Sequence, residues 1–116
     1  MKRNIVREKS YAFAVKIVEL HKTLVERRAY IIARQVLRSG TSIGANVEEA
    51  LQAVSRKDFA AKLSIALREA HETKFWLRLL GDADIATSSE LRLARIDVEE
   101  LLRLLTSIIK TTRSTE

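Results

Sequence analysis

Apolar residues recur three, four or seven positions apart in four segments of this chain, which places each series along one side of an α-helix. The four series are Val6, Phe13, Ile17, Leu20 and Leu24; Ala33, Leu37, Gly40, Gly44, Val47, Leu51 and Val54; Phe59, Leu63, Ala66, Ala70, Thr73, Leu77 and Leu80; and Leu91, Ala94, Val98, Leu101, Leu105 and Ile108. We predict helices over residues 5–25, 29–54, 56–81 and 88–112. Because the spacing averages about 3.5 residues, the pattern predicts an all-α four-helix bundle with a left-handed supercoil.

The breaks between the series carry capping residues rather than proline. Ser55 with Asp58, and Thr87 with Glu90, pair a hydroxyl residue with an acidic residue three positions later, as in the capping box at the start of a helix. Residues 26–29 are mostly good helix formers, so the first turn is placed there only because the apolar series loses its phase. The sequence therefore predicts short connections between long helices.

Composition agrees with a single helical domain spanning residues 1–116. Three glycines and no proline supply too few turn residues for a β-rich domain. The absence of cysteine excludes disulfides, thiolate metal sites and a thiol nucleophile. No apolar run reaches the roughly 20 residues needed to span a bilayer, and the basic N-terminus leads into no signal-peptide core. We therefore expect a soluble, cytoplasmic protein.

Charge is distributed unevenly along the chain. The formal net charge is +6, yet residues 1–38 hold ten basic and three acidic side chains, whereas the remainder holds 11 basic and 12 acidic ones. Such asymmetry favours an anionic partner for the surface formed by the first helix and the start of the second. The alternative is a solvated basic face that only keeps the protein soluble.

One edge of the predicted second helix is basic, because Arg27, Arg34 and Arg38 lie at positions i, i+7 and i+11. We name these three residues the helix-2 basic edge. Four N-terminal cations would extend it: Lys2, Arg3, Arg7 and Lys9. Phosphate contacts need only such accessible cations and carry no sequence preference. Tyr11 and Tyr30, the nearest aromatic residues, would either stack on unpaired bases or serve as packing.

Residues 38–46 place small and polar side chains in the middle of the second helix. Gly40 and Gly44 fall on its apolar stripe, where each costs roughly 1 kcal/mol relative to alanine. We expect close approach of a bulky neighbour such as Trp76 or Phe13 to offset that cost. A phosphate-binding P-loop is excluded, because no strand precedes the glycines and the required lysine is missing.

The same segment is expected to form a polar network with the third helix. Arg38 and Asn46, together with Glu49, share a side of helix two that Glu69 and Glu72 would face. Networks of this kind more often set helix register or subunit docking than perform chemistry. The residues assigned to this structural motif are Ser39, Gly40, Gly44, Asn46, Glu49, Glu69, Glu72 and Trp76.

Catalytic constellations are not evident in the sequence. A di-metal centre in a four-helix bundle needs Glu-x-x-His, but Val18 precedes His21 and Arg68 precedes His71 at the required spacing. No nucleophile elbow or glycine-rich oxyanion turn is present either. We therefore predict a protein that is not an enzyme, with no metal, no cofactor and no small-molecule substrate.

The whole chain resembles the bacterial four-helix-bundle family encoded by intervening sequences of large-subunit ribosomal RNA genes, which is often described as ribosomal-protein-like. The residues that carry the resemblance are Lys9, Ser10, Phe13 and Ala14; the segment 37–46 with Glu49 and Ala50; and Asp58, Phe59, Lys62, Ile65, Ala66, Glu69, Glu72, Thr73, Trp76 and Leu77. Arg68 and Phe75 depart slightly from the family pattern, which has lysine and often tyrosine there. A more distant similarity links the chain to the accessory variability determinant of diversity-generating retroelements.

The resemblance implies an antiparallel, up-down-up-down bundle that assembles into a ring, typically a pentamer, with a basic surface. Six apolar residues that flank the core stripes support assembly, since we do not expect one bundle core to bury them all: Val36, Ile43, Ile65, Trp76, Leu102 and Ile109. The leading functional hypothesis is a homo-oligomer that binds nucleic acid, RNA above all, through helices 1 and 2. The alternative is a protein-docking or scaffold module that does not touch nucleic acid.

Overall fold

The computed structural model describes residues 4–114. It contains four α-helices: α1 (Ile5–Glu26), α2 (Tyr30–Ala50), α3 (Arg56–Asp82) and α4 (Ser88–Ser114). Residues 4–114 form no β-strand, so the predicted all-α fold class is confirmed. No helix in this range has the long apolar stretch that a membrane-spanning segment would need.

Each helix packs against two others, in the cyclic order α1, α2, α3, α4, and α1 packs less extensively on α4 than the other neighbours pack on each other. Contacts join the start of one helix to the end of the next, so neighbouring helices run antiparallel. Such contacts are Arg7 with Glu48, Glu49 with Lys62, Ser64 with Arg113, and Arg27 with Glu90. The hand of the supercoil stays a prediction.

The predicted apolar series line one shared core. Every member of the first series is buried, and the third and fourth series are buried except for Phe59 and Ile108, which are partly exposed at one end of the bundle. The second series leaves the core at its end. Leu51 lies at the surface, and Val54 is 95% exposed.

The prediction that helix two continues to residue 54 was wrong, because the chain must turn there to reach α3. After Ala50 the backbone tightens: the amide of Gln52 bonds to the carbonyl of Glu49, and that of Ala53 bonds to Ala50. Ser55 then caps α3 by accepting a hydrogen bond from the Asp58 amide at 3.0 Å, as predicted. The apolar spacing of 51 and 54 therefore continues the helical period without continuing the helix.

Helices α1 and α3 both end in a Schellman motif whose left-handed residue is not glycine. Arg28 has φ 62°, and the amide of the next residue, Ala29, bonds to the carbonyl of Leu24. Asp84 has φ 58°, and the amide of Ile85 bonds to the carbonyl of Leu80. These two residues set where the first and third helices stop.

One bundle core does not bury all six apolar residues that flank the core stripes, as predicted, but it does bury four of them. Val36 and Ile43 are fully buried within the single chain, and Leu102 and Ile109 are nearly so. Small residues on the core stripes leave room for them, and α2 buries two sides because it lies between α1 and α3. The remaining two, Ile65 and Trp76, are partly exposed.

Candidate nucleic-acid interface

The two helical glycines of α2 lie directly against α1. A Cβ at Gly40 would approach both γ-carbons of Ile17 to 2.8 Å, and a Cβ at Gly44 would lie 3.2 Å from the carbonyl oxygen of Ser10. The predicted close approach is therefore present. The predicted neighbours, Trp76 and Phe13, were wrong, because the nearest atoms belong to Ile17 and Ser10 of α1.

A polar cluster joins α2 to α3 around Arg38. Its guanidinium donates to Glu69 Oε2 at 2.8 Å and to the carboxylate of Glu72. Ser42 Oγ donates to the same Glu69 oxygen at 2.6 Å, and the indole nitrogen of Trp76 donates to Glu72 Oε2 at 2.9 Å. The Trp76 and Arg38 hydrogen bonds lower the pKa of Glu72, and the same carboxylates raise the pKa of Arg38.

Two residues assigned to this network lie outside it. Glu49 pairs with Lys62 at 3.5 Å, and Asn46 donates to the Ser42 carbonyl within its own helix at 2.8 Å. Beneath the cluster, the hydroxyls of Ser39 and Thr73 lie 2.9 Å apart and fully buried. The network that fixes the register of α2 against α3 therefore includes Ser39, but it does not include Asn46 or Glu49.

The prediction that Arg27 lies along helix two was wrong, because Arg27 is the C-cap of α1 and α2 begins only at Tyr30; its side chain is held by α4. Its guanidinium donates to both carboxylate oxygens of Glu90, at 2.9 and 2.5 Å, and to the carbonyl of Ile85 at 2.9 Å. Glu90 also accepts from the Thr87 amide at 2.8 Å, while the Thr87 hydroxyl accepts from the Glu90 amide, which completes the predicted capping box. These bonds lower the pKa of Glu90 to about 2.

The other predicted phosphate contacts differ in availability. Arg7 pairs with Glu48 at 2.8 Å and Lys9 with Glu100 at 3.1 Å. Arg34 is exposed and makes no ion pair with any residue in the range 4–114. Lys2 and Arg3 lie outside the described residues. The helix-2 basic edge thus keeps one cation, Arg34, that has no carboxylate partner in this range.

The tyrosines expected near this edge lie apart, since exposed Tyr11 is on α1 whereas Tyr30 lines a groove with Ile31 and Leu79. Exposed His71 and half-buried His21 also lie on different helices. Within the described part of the chain, no three His, Cys, Asp or Glu side chains are grouped so that they could hold a metal ion.

The fold uses acidic residues of the later chain to neutralise the basic first third. Those acidic partners are Glu48, Glu69, Glu72, Glu90, Asp97 and Glu100. Other cations form no ion pair with any residue in the range 4–114: Arg28, Arg34, Lys57, Arg68, Arg92, Arg95, Arg103, Lys110 and Arg113. Most of these cations lie after residue 38, whereas the sum of charges along the chain had indicated residues 1–38. The signal that was missed is the helical spacing of the α4 cations.

The family model described as 23S rRNA-intervening sequence protein matches residues 2–107. A crystal structure from Bacteroides thetaiotaomicron, described as a protein with unknown function from the S23 ribosomal protein family, is 50% identical with a TM-score of 0.88. That match covers 90% of this chain and 98% of the other. Comparison with curated proteins gave no match. The distant similarity to the retroelement accessory protein stays a prediction. This chain belongs to the 23S rRNA-intervening sequence protein family.

Proposed function

We propose that this protein is a non-catalytic, cytoplasmic homo-oligomer that binds nucleic acid, RNA above all, through contacts to phosphates. The observation that carries the proposal is the set of exposed cations that remain after the cross-helix ion pairs have formed. Accessible arginine and lysine side chains bind the phosphate backbone without reading sequence. The family's printed description, which associates it with 23S rRNA intervening sequences, supports RNA as the first ligand to test.

The surface of α1 and α2 proposed from the sequence can contribute in two ways. Arg34 and Arg28 are exposed and without a carboxylate partner in the described range, so they can meet phosphates directly. Arg27 and Arg38 join only by leaving Glu90 or the Glu69–Glu72 pair. The Arg27–Glu90 pair is bidentate and Arg38 belongs to a hydrogen-bonded network, so both are held more firmly than an isolated surface pair. Arg28 and Arg34 are therefore the first to meet phosphates.

Two apolar grooves on opposite sides of the bundle support assembly into a ring. The α1–α4 groove, of about 340 Å³, is lined by Val15, Leu20 and Leu93 among others. The α2–α3 groove, of about 460 Å³, includes Ile31 and Leu79 in its lining. Because the two grooves are different surfaces, contact between them is heterologous and closes into a ring when the rotation allows. We propose five subunits, as the family resemblance implies.

The same grooves favour one alternative function, a module that docks another protein. Ile31 is 83% exposed and Leu93 is 53% exposed, and apolar side chains of this size are typical of the centre of a protein interface. In that alternative the unpaired cations serve solubility alone.

Salt dependence distinguishes the two functions. We expect labelled RNA to bind in a fluorescence-anisotropy titration, with an affinity that falls steeply as salt rises, because each phosphate neutralised releases counterions. Arg34→Glu tests the helix-2 basic edge in the same titration. If the wild-type protein binds no RNA even at low salt, nucleic-acid binding is wrong and the docking module replaces it.

A further inference from the structure

Resting on the proposed function, we infer that the main phosphate-binding surface is a line of cations on α4, and that its ligand is the backbone of a nucleic-acid duplex. We name this surface the α4 basic stripe. It consists of Arg92, Arg95, Arg103, Lys110 and Arg113. The stripe lies on the side of α4 away from α1, so it is separate from the helix-2 basic edge.

Cross-helix pairing separates the charges of α4 onto two sides. Three acidic residues, Glu90, Asp97 and Glu100, face α1 and form ion pairs with its cations. On the other side Glu99 is the one carboxylate within the stripe, and Lys74 of α3 holds it at 2.6 Å. The stripe therefore keeps its positive charge, whereas the α1 side of α4 is neutralised.

The cations of the stripe are available to a ligand. Arg92, Arg103 and Lys110 are exposed and make no ion pair within the range 4–114. Arg113 contacts only a hydroxyl, donating to Ser64 at 3.2 Å. Arg95 is half-buried beside Gly81, which positions its guanidinium at the α3 side. None of the five side chains has to break an ion pair with a carboxylate of residues 4–114 in order to reach a phosphate.

Spacing sets three of these side chains in a straight row, and Arg95 and Arg113 lie on its α3 side. Residues 92, 103 and 110 are separated by 11 and 7 positions, so they lie on one line of the helix surface. From 92 to 113 the stripe extends for about 30 Å at 1.5 Å per residue. Duplex DNA presents about one charge per 1.7 Å of its axis, so a stripe of this length can meet several phosphates.

The chemistry of the row favours a duplex over single strands and over a protein. The other positions along it are Ile96, Glu99 and Thr106, so it has no aromatic ring on which an unpaired base would stack. Ile96, 52% exposed and one turn from Arg92, is a single large apolar side chain beside the row, whereas protein interfaces bury clusters of aromatic and apolar residues at their centre. A stripe dominated by cations matches a ligand whose surface is dominated by phosphates.

The test compares two variants with equal charge. Arg92→Glu/Arg103→Glu/Lys110→Glu alters the stripe, and Lys22→Glu/Lys57→Glu/Arg68→Glu alters three exposed cations that lie outside both the stripe and the helix-2 basic edge. In each variant three cations become anions, so the formal net charge falls from +6 to 0. Fluorescence anisotropy measures binding of an RNA duplex, a DNA duplex of the same sequence and a single-stranded RNA, each of about 20 nucleotides per strand.

We expect the stripe variant to lose about 100-fold or more in affinity for duplex at low salt. We also expect the slope of log affinity against log salt to become shallower by about 3, because each phosphate that the protein no longer neutralises reduces the slope by roughly 0.9. The control variant should lose much less affinity than the stripe variant, because the two variants have the same net charge and therefore the same loss of long-range attraction. Equal binding of RNA and DNA duplexes supports backbone contact, and a preference for RNA assigns the same stripe to an A-form backbone.

Three results would overturn the inference: a stripe variant that binds duplex as wild type does, a control variant whose affinity falls as much, or tighter binding of the single strand. Each leaves the proposed function intact, whereas a wild type that binds no nucleic acid removes both. Arg92→Gln/Arg103→Gln/Lys110→Gln, checked by circular dichroism, replaces the stripe variant if three glutamates prevent folding. This variant should also lose affinity for duplex, but by a smaller factor than the glutamate variant.

Discussion

At the scale of single residues, Gly44 shows why α2 tolerates glycine in its interior. The carbonyl of Ser10 is part of the α1 backbone and cannot rotate away from a Cβ placed 3.2 Å from it. We expect Gly44→Leu to lower the free energy of unfolding by about 1–3 kcal/mol or more, because the site would be overpacked. Gly44→Ala should cost less, since alanine regains about 1 kcal/mol of helix propensity.

Urea unfolding measures both changes at Gly44, and Ala45→Gly is the matched control. Ala45 is the next residue of α2 and is exposed, so its replacement reports helix propensity alone, about 1 kcal/mol. A Gly44→Leu variant that unfolds at the wild-type urea concentration would contradict close packing. The sequence indicated that the glycines need a neighbour, but it could not identify Ile17 or Ser10, because register between helices is a property of tertiary packing.

Arg28 occupies a left-handed conformation that glycine adopts at no steric cost. Non-glycine residues lose roughly 1–2 kcal/mol there, less for Asp or Asn. We therefore predict that Arg28→Gly raises the free energy of unfolding by about 0.5–1 kcal/mol, and that Asp84→Gly, at the equivalent position of α3, gains less. Thermal unfolding compares the two. A lower melting temperature for Arg28→Gly would contradict this, because it would mean that contacts of the Arg28 side chain stabilise the protein by more than the left-handed backbone conformation costs.

At the scale of elements, the first turn of α4 is tied to the end of α1 through one carboxylate. Glu90 has its pKa lowered from 4.5 to about 2 in the folded state by Arg27 and by the Thr87 cap. A lowered folded pKa contributes stability that is present above the unfolded value and is lost as the pH falls through the folded value. We predict that this contribution disappears between pH 4.5 and about 2.

Melting temperatures of wild type and Glu90→Gln test this dependence. The two proteins should differ most above pH 4.5 and converge towards pH 2, because glutamine mimics the protonated carboxyl. Glu26→Gln, an exposed neighbour at the end of α1, serves as the control and should follow wild type. A constant difference between wild type and Glu90→Gln across this range would show that the carboxylate charge does not carry the stabilisation.

Prediction of elements from sequence succeeded where local chemistry decides the outcome. The caps at Ser55 and Thr87 are contacts over three residues, so the starts of α3 and α4 were readable. Asn4, which caps α1 by accepting from the Arg7 amide at 2.9 Å, was overlooked although asparagine is a strong N-cap residue. The end of α2 was not readable, because the apolar period continues to Val54 whereas the path of the chain does not.

At the scale of the whole molecule, linear charge and folded charge differ. The sequence places the excess of cations in its first third, but cross-helix pairs with later carboxylates remove most of that excess. Pairs such as Lys9 with Glu100 lie too far apart in the chain for any local pattern to indicate them. The candidate site therefore needed the structure, whereas the fold class needed only periodicity and composition.

Assembly is the prediction that concerns the whole molecule. In the proposed ring the interface is heterologous, so each subunit would use its α1–α4 groove and its α2–α3 groove towards different neighbours. We predict that Leu93→Glu in the first groove and Ile31→Glu in the second each yield monomers by light scattering at micromolar concentration. Val54→Glu, at an exposed apolar position outside both grooves, should leave the assembly unchanged.

Mixing the two monomeric variants separates a ring from a simple dimer. Each variant keeps one intact groove, and the intact grooves are complementary, so the mixture should form a heterodimer and grow no further. An isologous dimer uses the same patch on both subunits, so a substitution in that patch abolishes it and one elsewhere has no effect. A wild-type protein that scatters as a monomer at micromolar concentration would show that the grooves do not bind each other, and would leave them to a different protein partner.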